Sequence, residues 1–275
     1  MNRISLRLAG GLGNQLFQIG AALLLAERSG GGYVEWHNAL ENYKERRQAD
    51  FMSIIDCSGI RRAKDWSFLH AVRAGRAKFS FCVNDSNARV ALRKRVGADS
   101  GRKFFLMDGY FQDHWFQEDL EACVSLLEAR CINPVVLRDE VVVHVRGGDF
   151  KSIPEFAILG DEYYARALKW LRRQVGLRAP ALNIVTDDEA WARRLLGESA
   201  LCQWPSVAFA ARGSAVSDFQ KIRCARYRVI PNSTFSWWAA ALGAAESLTV
   251  AVSHWTANRP REYRLRNEYT LGREK

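Results

Sequence analysis

Charged residues and glycines directly follow a short apolar run in the middle of the chain. Residues 141–145 are Val-Val-Val-His-Val, a composition typical of a short buried strand, and Arg146-Gly147-Gly148-Asp149 come next. Ligands of open α/β sheets bind beyond the carboxyl ends of the strands. Glycines let backbone amides approach a ligand closely, and the Arg146 guanidinium can bind phosphate oxygens in a forked geometry. The pattern fits a loop that holds a sugar-nucleotide pyrophosphate, and equally a tight turn in which Asp149 caps the next segment or pairs with Arg146.

Polar residues also follow two other predicted strands. The strand at 181–185 ends in Thr186-Asp187-Asp188, and the short strand Val229-Ile230 leads into residues 231–238, Pro-Asn-Ser-Thr-Phe-Ser-Trp-Trp. Hydroxyls and backbone amides at such a strand-to-helix junction suit a pyrophosphate, although serine and threonine also cap helices without any ligand. Because parallel strands end at the same edge of a sheet, we expect the three sets of polar residues to converge on one ligand.

A glycine-rich segment near the amino terminus offers a second candidate site. Residues 9–15, Ala-Gly-Gly-Leu-Gly-Asn-Gln, lie between a predicted strand at 4–8 and a predicted helix at 16–28. A strand, a glycine loop and a helix in this order aim helix amides at an anion. The spacing differs from the dinucleotide-binding fingerprint, so the sequence leaves open whether these glycines bind a ligand or only permit a tight turn.

Strands that alternate with helices predict a parallel, Rossmann-like sheet. Further helices are expected at 113–129, 161–175, 189–196, 217–225 and 239–245, and a last strand at 248–252. Asn133-Pro134 is a suitable domain boundary. We therefore expect an amino-terminal, acceptor-side α/β domain at 1–134 and a carboxy-terminal nucleotide-binding domain at 135–275.

The overall charge indicates which kinds of partner the protein binds, and the cysteines indicate the cellular compartment. A net charge of +10 favours anionic partners, and the basic stretch at 61–95 is either a solvated face or a contact for a membrane or a nucleic acid. The six cysteines form no C-x-x-C pair and have no histidine at metal-ligand spacing, so we expect reduced thiols in a cytoplasmic protein. The sequence shows no signal-peptide pattern and no apolar run of 18 residues.

Four segments together resemble the bacterial α-1,2-fucosyltransferases of glycosyltransferase family 11. They are residues 10–18 (Gly-Gly-Leu-Gly-Asn-Gln-Leu-Phe-Gln), 109–112 (Gly-Tyr-Phe-Gln), 144–149 (His-Val-Arg-Gly-Gly-Asp) and 232–238 (Asn-Ser-Thr-Phe-Ser-Trp-Trp). The third segment departs from the family motif His-x-Arg-Arg-Gly-Asp, because Gly147 stands where the second arginine is usual. The resemblance implies an α/β, GT-B-like fold of two Rossmann-like domains with a cleft between them. It also implies an inverting, metal-independent transfer from GDP-β-L-fucose.

The resemblance further implies roles for individual residues. Arg146 is expected to stabilise the negative charge that develops on the β-phosphate of the leaving GDP, and Asp218 to accept hydrogen bonds from the guanine base. Gly11, Gly13 and Asn14 are expected to line the cleft from the first domain. The other donor-binding candidates are His144, Asp187, Asn232, Ser233, Thr234 and Phe235. Structural alternatives exist for three positions: His144 as a core residue, Asp218 as a helix cap, and Asp187 with its neighbour Asp188 as caps of the next helix.

The sequence does not rank a catalytic base, and the candidates are Asp108, Asp149, Glu35 and His37. We expect transfer of fucose to the 2-hydroxyl of a terminal galactose in a cell-surface glycan precursor, with no cofactor and no metal. Transfer of another GDP-linked 6-deoxy sugar such as colitose is the nearest alternative. Non-catalytic glycan binding and nucleic-acid binding are more distant ones, and no nucleic-acid-binding motif is present. The basic charge also predicts a peripheral contact with an anionic membrane.

Overall fold

The computed structural model describes residues 1–38, 48–63, 81–93, 104–113, 115–157, 159–176, 180–211 and 213–272. The chain divides into two compact units, Met1–Asn133 and Pro134–Lys275. Both units contain parallel strands and helices, so the α/β class expected from the alternating pattern is confirmed. The functional roles expected for the two parts of the chain remain predictions.

The first unit contains, within its described residues, one parallel five-stranded sheet. Its strands are β1 (Asn2–Leu8), β2 (Gly32–Asn38), β3 (Ile60–Arg62), β4 (Phe81–Asn84) and β5 (Phe104–Asp108), and its helices are α1 (Leu12–Arg28), α2 (Ala88–Arg93) and α3 (Gln117–Glu128). The strand order is β3-β2-β1-β5-β4. Because the strands are parallel, the loops after β1, β5 and β4 leave the sheet side by side at one edge.

Helix α1 is buried along most of its length and begins earlier than expected. Leu12 is 3% exposed, and the backbone N–H of Gln15 donates to the carbonyl of Gly11 at 3.0 Å, which closes the first turn. Gly10, with φ +83°, allows the sharp turn out of β1. Gly13 and Asn14 therefore lie in the first turn of α1, and the expectation that the helix begins at residue 16 is wrong.

The second unit contains a parallel six-stranded sheet among its described residues. The strands of the whole unit are β6 (Arg138–Val145), β7 (Leu182–Thr186), β8 (Val207–Phe209), β9 (Ala225–Ile230), β10 (Leu248–Val252), β11 (His254–Thr256), β12 (Arg259–Pro260) and β13 (Glu268–Leu271). The helices of the unit are α4 (Asp161–Val175), α5 (Glu189–Leu196), α6 (Glu198–Leu201), α7 (Ala215–Cys224) and α8 (Thr234–Ala241). The strand order is β13-β10-β9-β6-β7-β8, and β11 pairs only with β12. Val141, Val143 and Val145 of the central strand β6 are fully buried, in one apolar cluster with Leu168 and Leu171 of α4.

Three further helix boundaries differ from those expected. Helix α3 begins at Gln117 and not at Asp113, because the preceding loop is held by the Trp115 indole N–H, which donates to the carbonyl of Phe111 at 2.7 Å. Helix α7 begins at Ala215, two residues earlier than expected. Helix α8 ends at Ala241, four residues earlier than expected, where Gly243 packs so closely on Arg228 that a Cβ would collide with the guanidinium.

The basic stretch at 61–95 is only partly described, since residues 64–80 and 94–95 lie outside the described residues. Within the described ranges, no helix has both the length and the apolar character that a membrane crossing requires.

Candidate functional site

Three neighbouring strands of the second sheet end in the polar residues that the sequence singled out. Strand β6 lies between β7 and β9 and runs parallel to both. Arg146 and Gly147 follow β6, Asp187 and Asp188 follow β7, and residues 231–233 follow β9. The expectation that these strand ends share one edge is therefore confirmed.

Arg146 and Asp187 are held together at this edge. The Arg146 guanidinium forms an ion pair with Asp187, whose other carboxylate oxygen accepts the backbone N–H of Gly147 at 2.7 Å. Both side chains are about one quarter exposed, at 26% and 28%. The ion-pair alternative considered for Arg146 named Asp149, but the carboxylate lies on the neighbouring strand end, 41 residues away in sequence. The role of Asp187 at this edge is therefore to orient Arg146, and its expected contact with the donor remains a prediction.

The loop after β6 has no room for a side chain at position 147. A Cβ on Gly147 would lie 2.6 Å from Cβ of Asp188 and 3.1 Å from Oδ1 of Asp187. Asp188 is itself fixed, since its carboxylate caps α5 by accepting the backbone N–H of Trp191 at 2.9 Å and pairs with Lys151. The cap alternative is thus confirmed for Asp188. Glycine in place of the usual arginine follows from this close approach of the two strand ends.

Restoring the arginine should therefore harm the protein. We expect Gly147→Arg to lower the free energy of unfolding by about 1–3 kcal/mol, as other overpacked sites do, and to leave activity no higher than wild type. Urea unfolding measures the first effect and steady-state kinetics the second. Adding Asp188→Gly, which removes the colliding Cβ, should recover stability, whereas adding Asp188→Ala, which keeps it, should not. Equal recovery by both second substitutions would contradict the explanation.

His144 is buried one residue before the end of β6. Its ring lies 5.6 Å from that of Phe235 in α8, and Phe235 lies 5.6 Å from Phe219 in α7. Nδ1 of His144 has no hydrogen-bond partner among the described residues. Burial, together with the nearby charge of Arg146, lowers the pKa of His144 to about 3, so the imidazole is neutral at pH 7. His144 and Phe235 therefore form one aromatic layer beneath the loop ends.

A buried neutral histidine makes stability depend on pH. The unfolded chain binds a proton at His144 below pH 6.5, whereas the folded chain does not until about pH 3. Stability should therefore fall as the pH is lowered from 6.5 towards 3, by on the order of 3 kcal/mol at pH 4 from this residue. Guanidinium unfolding between pH 4 and pH 7 should show a clearly weaker pH dependence for His144→Asn than for wild type. An unchanged dependence would remove His144 as its source.

The junction between β9 and α8 combines a fixed loop with an open helix terminus. The side-chain amide of Asn232 donates to the carbonyls of Phe156, at 3.0 Å, and Trp255, at 2.8 Å. Ser233 occupies the N-cap position, but its side chain makes no capping hydrogen bond, and Thr234 begins the helix. The expected strand-to-helix junction is confirmed. Its donor-binding role remains a prediction for Ser233 and Thr234, and Asn232 shapes the loop through its amide.

Asp218 lies in the first turn of α7 and is not the cap of that helix. The cap is Ser214, whose Oγ accepts the backbone N–H of Ser217 at 3.1 Å. The Asp218 carboxylate instead pairs with Lys221 one turn later, at 2.9 Å, and is 19% exposed. The cap alternative for Asp218 is therefore wrong, and its expected contact with guanine remains a prediction.

The glycine segment of the first unit is shaped by amide side chains. A Cβ on Gly10 would lie 2.5 Å from Nδ2 of Asn14, so the loop folds directly over that side chain. Oδ1 of Asn14 accepts a hydrogen bond from the side-chain amide of Gln112, at 2.8 Å. Gln15 donates to the carbonyl of Gly10 at 3.1 Å, and Gln18 accepts the backbone N–H of Ala9 at 2.9 Å. The sequence interpretation missed Gln15, Gln18 and Gln112, although two glutamines on an otherwise apolar helix were a signal.

The candidates for the catalytic base have different environments. Burial raises the pKa of Glu35, but hydrogen bonds from His37, Arg3 and Ser5 outweigh it and hold the pKa at about 2. A carboxylate with this pKa is a weak base at neutral pH. Asp108 is half exposed and pairs with Arg7 at 3.2 Å. The side chain of Asp149 lies outside the described part of the chain.

Comparison with known proteins adds a family and a fold. A family described as Glycosyl transferase family 11 matches residues 110–270. The chain is similar to an α-1,2-colitosyltransferase of Escherichia coli, with 24% identity over 274 residues that cover 93% of each protein. It is also similar to galactoside 2-α-L-fucosyltransferase SEC1 of Bos taurus, with 34% identity over 118 residues, which are 40% of this chain and 30% of that protein.

Among solved structures, the fucosyltransferase NodZ from Bradyrhizobium superposes with a TM-score of 0.53 at 14% identity, covering 88% of this chain and 93% of NodZ. Another NodZ structure, of an α-1,6-fucosyltransferase soaked with GDP-fucose, gives a TM-score of 0.51. These likenesses confirm the GT-B-like fold class.

Proposed function

Since the chain belongs to glycosyl transferase family 11 and is a glycosyltransferase, we propose that it transfers L-fucose from GDP-β-L-fucose to the 2-hydroxyl of a terminal galactose. The product is a cell-surface glycan or its precursor. The observation that carries the proposal is the placement of the Arg146–Asp187 pair beside the amino terminus of α8, at the ends of adjacent parallel strands.

The second unit supplies the donor site in this proposal. The pyrophosphate lies against the first-turn amides of α8 near Ser233 and Thr234, where helix N–H groups favour an anion. Arg146, oriented by Asp187, contacts the β-phosphate. Asp218, on the neighbouring helix α7, accepts hydrogen bonds from the N–H groups of guanine.

The reaction is a single displacement with inversion. The acceptor 2-hydroxyl oxygen bonds to C1 of fucose as the bond between C1 and the β-phosphate oxygen breaks, and GDP leaves with that electron pair. The acceptor proton passes to a base, for which Asp108, Asp149 and His37 remain candidates after the low pKa of Glu35 disfavours it. Arg146 places a fixed positive charge where negative charge develops, which lowers the barrier.

The first unit contributes the acceptor side through the segment that contains Gly11, Gly13 and Asn14. The compartment that we propose is the cytoplasm. None of the six cysteines, all within the described ranges, forms a disulfide, which supports a reducing environment. We also retain the proposal of a peripheral contact with anionic membrane, on the net charge of +10 alone. Sedimentation with vesicles tests it, and binding that does not depend on anionic lipid would exclude it.

A second donor, GDP-colitose, is favoured by the similarity to the colitosyltransferase along 93% of the chain. The two sugars differ by one hydroxyl, at C3 of fucose. A site that hydrogen-bonds this hydroxyl should reject colitose by a large factor, whereas a site without such a contact discriminates weakly.

Incubation with GDP-fucose, GDP-colitose or GDP-mannose and a panel of β-galactosides tests the proposal. The expected product is an α-1,2-linked fucosyl galactoside, identified by linkage analysis, with a higher kcat/KM for GDP-fucose than for GDP-colitose. A higher value for GDP-colitose would replace fucose with colitose in the proposal. Absence of transfer from every donor to every acceptor would contradict it.

A further inference from the structure

The loop of residues 109–112, which follows β5, is shaped by a single carboxylate from outside it. Asp85 follows β4, the strand beside β5, and is the residue after Asn84, which pairs with Asp108. Its two carboxylate oxygens accept the backbone N–H groups of Tyr110, at 3.1 Å, and Phe111, at 2.6 Å. One side chain thus fixes the backbone of the neighbouring loop at two successive residues.

Two further features show how tightly the loop follows Asp85. A Cβ on Gly109 would lie 2.9 Å from the Asp85 carboxylate, so only glycine fits beneath it. Phe111 has φ +52°, a conformation that is costly for an aromatic residue, and its ring is 1% exposed. The Trp115 indole N–H donates to the Phe111 carbonyl at 2.7 Å. The contacts from Asp85 and Trp115 stabilise this unfavourable backbone.

The loop presents side chains that suit a neutral sugar. Tyr110 is 39% exposed, and Gln112 donates to Oδ1 of Asn14 at 2.8 Å, which brings two amide side chains together beside it. Aromatic faces pack on the C–H surface of a sugar ring, and amides both donate to and accept from its hydroxyls. Of the charged side chains nearby, Arg7 forms an ion pair with Asp108, and both carboxylate oxygens of Asp85 accept backbone N–H groups of the loop. An uncharged ligand matches this surface better than a phosphate does.

We infer that Tyr110, Gln112 and Asn14 form a subsite for the acceptor galactoside, and that Asp85 is the positioning residue that shapes it. This inference rests on the proposed function for the identity of the sugar. Asp85 does not contact the acceptor. It sets the loop conformation in which Tyr110 and Gln112 face the ligand.

Substitution of Asp85 should change the KM of the acceptor and leave the KM of the donor nearly unchanged. In Asp85→Ala, the acceptor KM should rise about tenfold or more, because two hydrogen bonds to a charged acceptor are lost. The donor KM and the rate of GDP-fucose hydrolysis without acceptor should stay within about twofold of wild type. Asp85→Asn retains one accepting oxygen and should fall between wild type and Asp85→Ala. Tyr110→Ala should raise the acceptor KM similarly, because it removes the aromatic face that packs on the sugar ring.

Asp56 provides a matched control in the same unit. Its carboxylate also accepts a backbone N–H, that of Ser58 at 3.1 Å, in an exposed turn of a different segment. Asp56→Ala should leave the acceptor KM unchanged. An unchanged acceptor KM in Asp85→Ala would overturn the inference. So would a rise in donor KM, or a loss of donor hydrolysis, as large as the change in acceptor KM, because that pattern indicates general structural damage.

A direct binding measurement tests the subsite without requiring that the protein transfer a sugar. Saturation-transfer difference NMR of lactose with the full chain should give a signal that is lost in Tyr110→Ala and weakened in Asp85→Asn. If wild type binds lactose in this way but transfers no sugar, the subsite stands and the proposed reaction fails. If wild type transfers fucose but the lactose signal is the same in Tyr110→Ala, the reaction stands and the subsite fails.

Discussion

Replacing Arg146 with alanine is expected to lower kcat for sugar transfer about 10²–10³-fold, the usual cost of removing one preorganised group that stabilises transition-state charge. The guanidinium is the positively charged group that Asp187 holds at the end of β6, beside the amino terminus of α8. In the proposed mechanism, its removal leaves the developing charge on the leaving phosphate without this cation. Stopped or quenched single-turnover assays measure the chemical step directly.

The controls for Arg146 separate charge from geometry. Arg146→Lys keeps the charge but loses the planar fork, so its kcat should lie between those of wild type and Arg146→Ala. Asp187→Asn should reduce kcat less than Arg146→Ala does, because the cation stays while its orientation loosens. The thermal midpoint should change little in each case, since the ion pair is partly exposed to solvent. A kcat for Arg146→Ala within a few fold of wild type would remove Arg146 from the mechanism.

Replacing Arg228 with alanine is expected to lower the free energy of unfolding by about 3–5 kcal/mol. Arg228 lies in β9, is 1% exposed, and donates mainly to oxygen atoms of the polypeptide backbone. Its acceptors are the carbonyls of Ile222, Arg223 and Ala240 and the hydroxyls of Ser247 and Thr249. Burial, together with the nearby charge of Arg223, lowers the pKa of Arg228 to about 10, so the side chain stays charged at pH 7. Removing it leaves several buried carbonyl groups without donors.

Arg226 is the matched control for Arg228 on the same strand. It is 38% exposed and pairs with Asp139 at 3.0 Å, so Arg226→Ala should change stability by less than about 1 kcal/mol. Guanidinium unfolding of both variants gives their free energies of unfolding, and an unchanged denaturant slope shows that the two values can be compared. Arg228 also joins the ends of α7 and α8, so donor KM should rise in any folded Arg228 variant. Equal stability losses in the two variants would contradict this account of Arg228.

The sequence predicted well the elements whose pattern is local. Helices at 161–175 and 189–196 and the strand at 248–252 match the structure, because each has a distinct apolar period or a continuous apolar run. The predicted helix boundaries were wrong where contacts with residues elsewhere in the chain determine where the helix starts or ends. Helix α3 starts late because Trp115 binds back to the Phe111 carbonyl, and α8 ends early at the glycine beneath Arg228.

The site was predictable in position but not in its pairings. Parallel strand ends share an edge, so the meeting of residues after β6, β7 and β9 followed from the alternating pattern. The partner of Arg146 did not, because a contact 41 residues apart depends on strand order. The reason for Gly147 was equally hidden, since it lies in the space taken by Asp188. Asp85 carried no sequence signal, because its partners are backbone groups of another loop.

The central position of β6 also has a consequence for how the second unit is made. Strand β6 is the first strand of this unit to leave the ribosome, and the sheet then grows outward on one side through β7 and β8 before β9 is added on the other. A nascent chain that ends before β9 can already pair Arg146 with Asp187. The amino terminus of α8 is synthesised only after β9. During translation, the Arg146–Asp187 pair can therefore form before the amino terminus of α8 is present. One side of β6 remains an unpaired strand edge until β9 is synthesised.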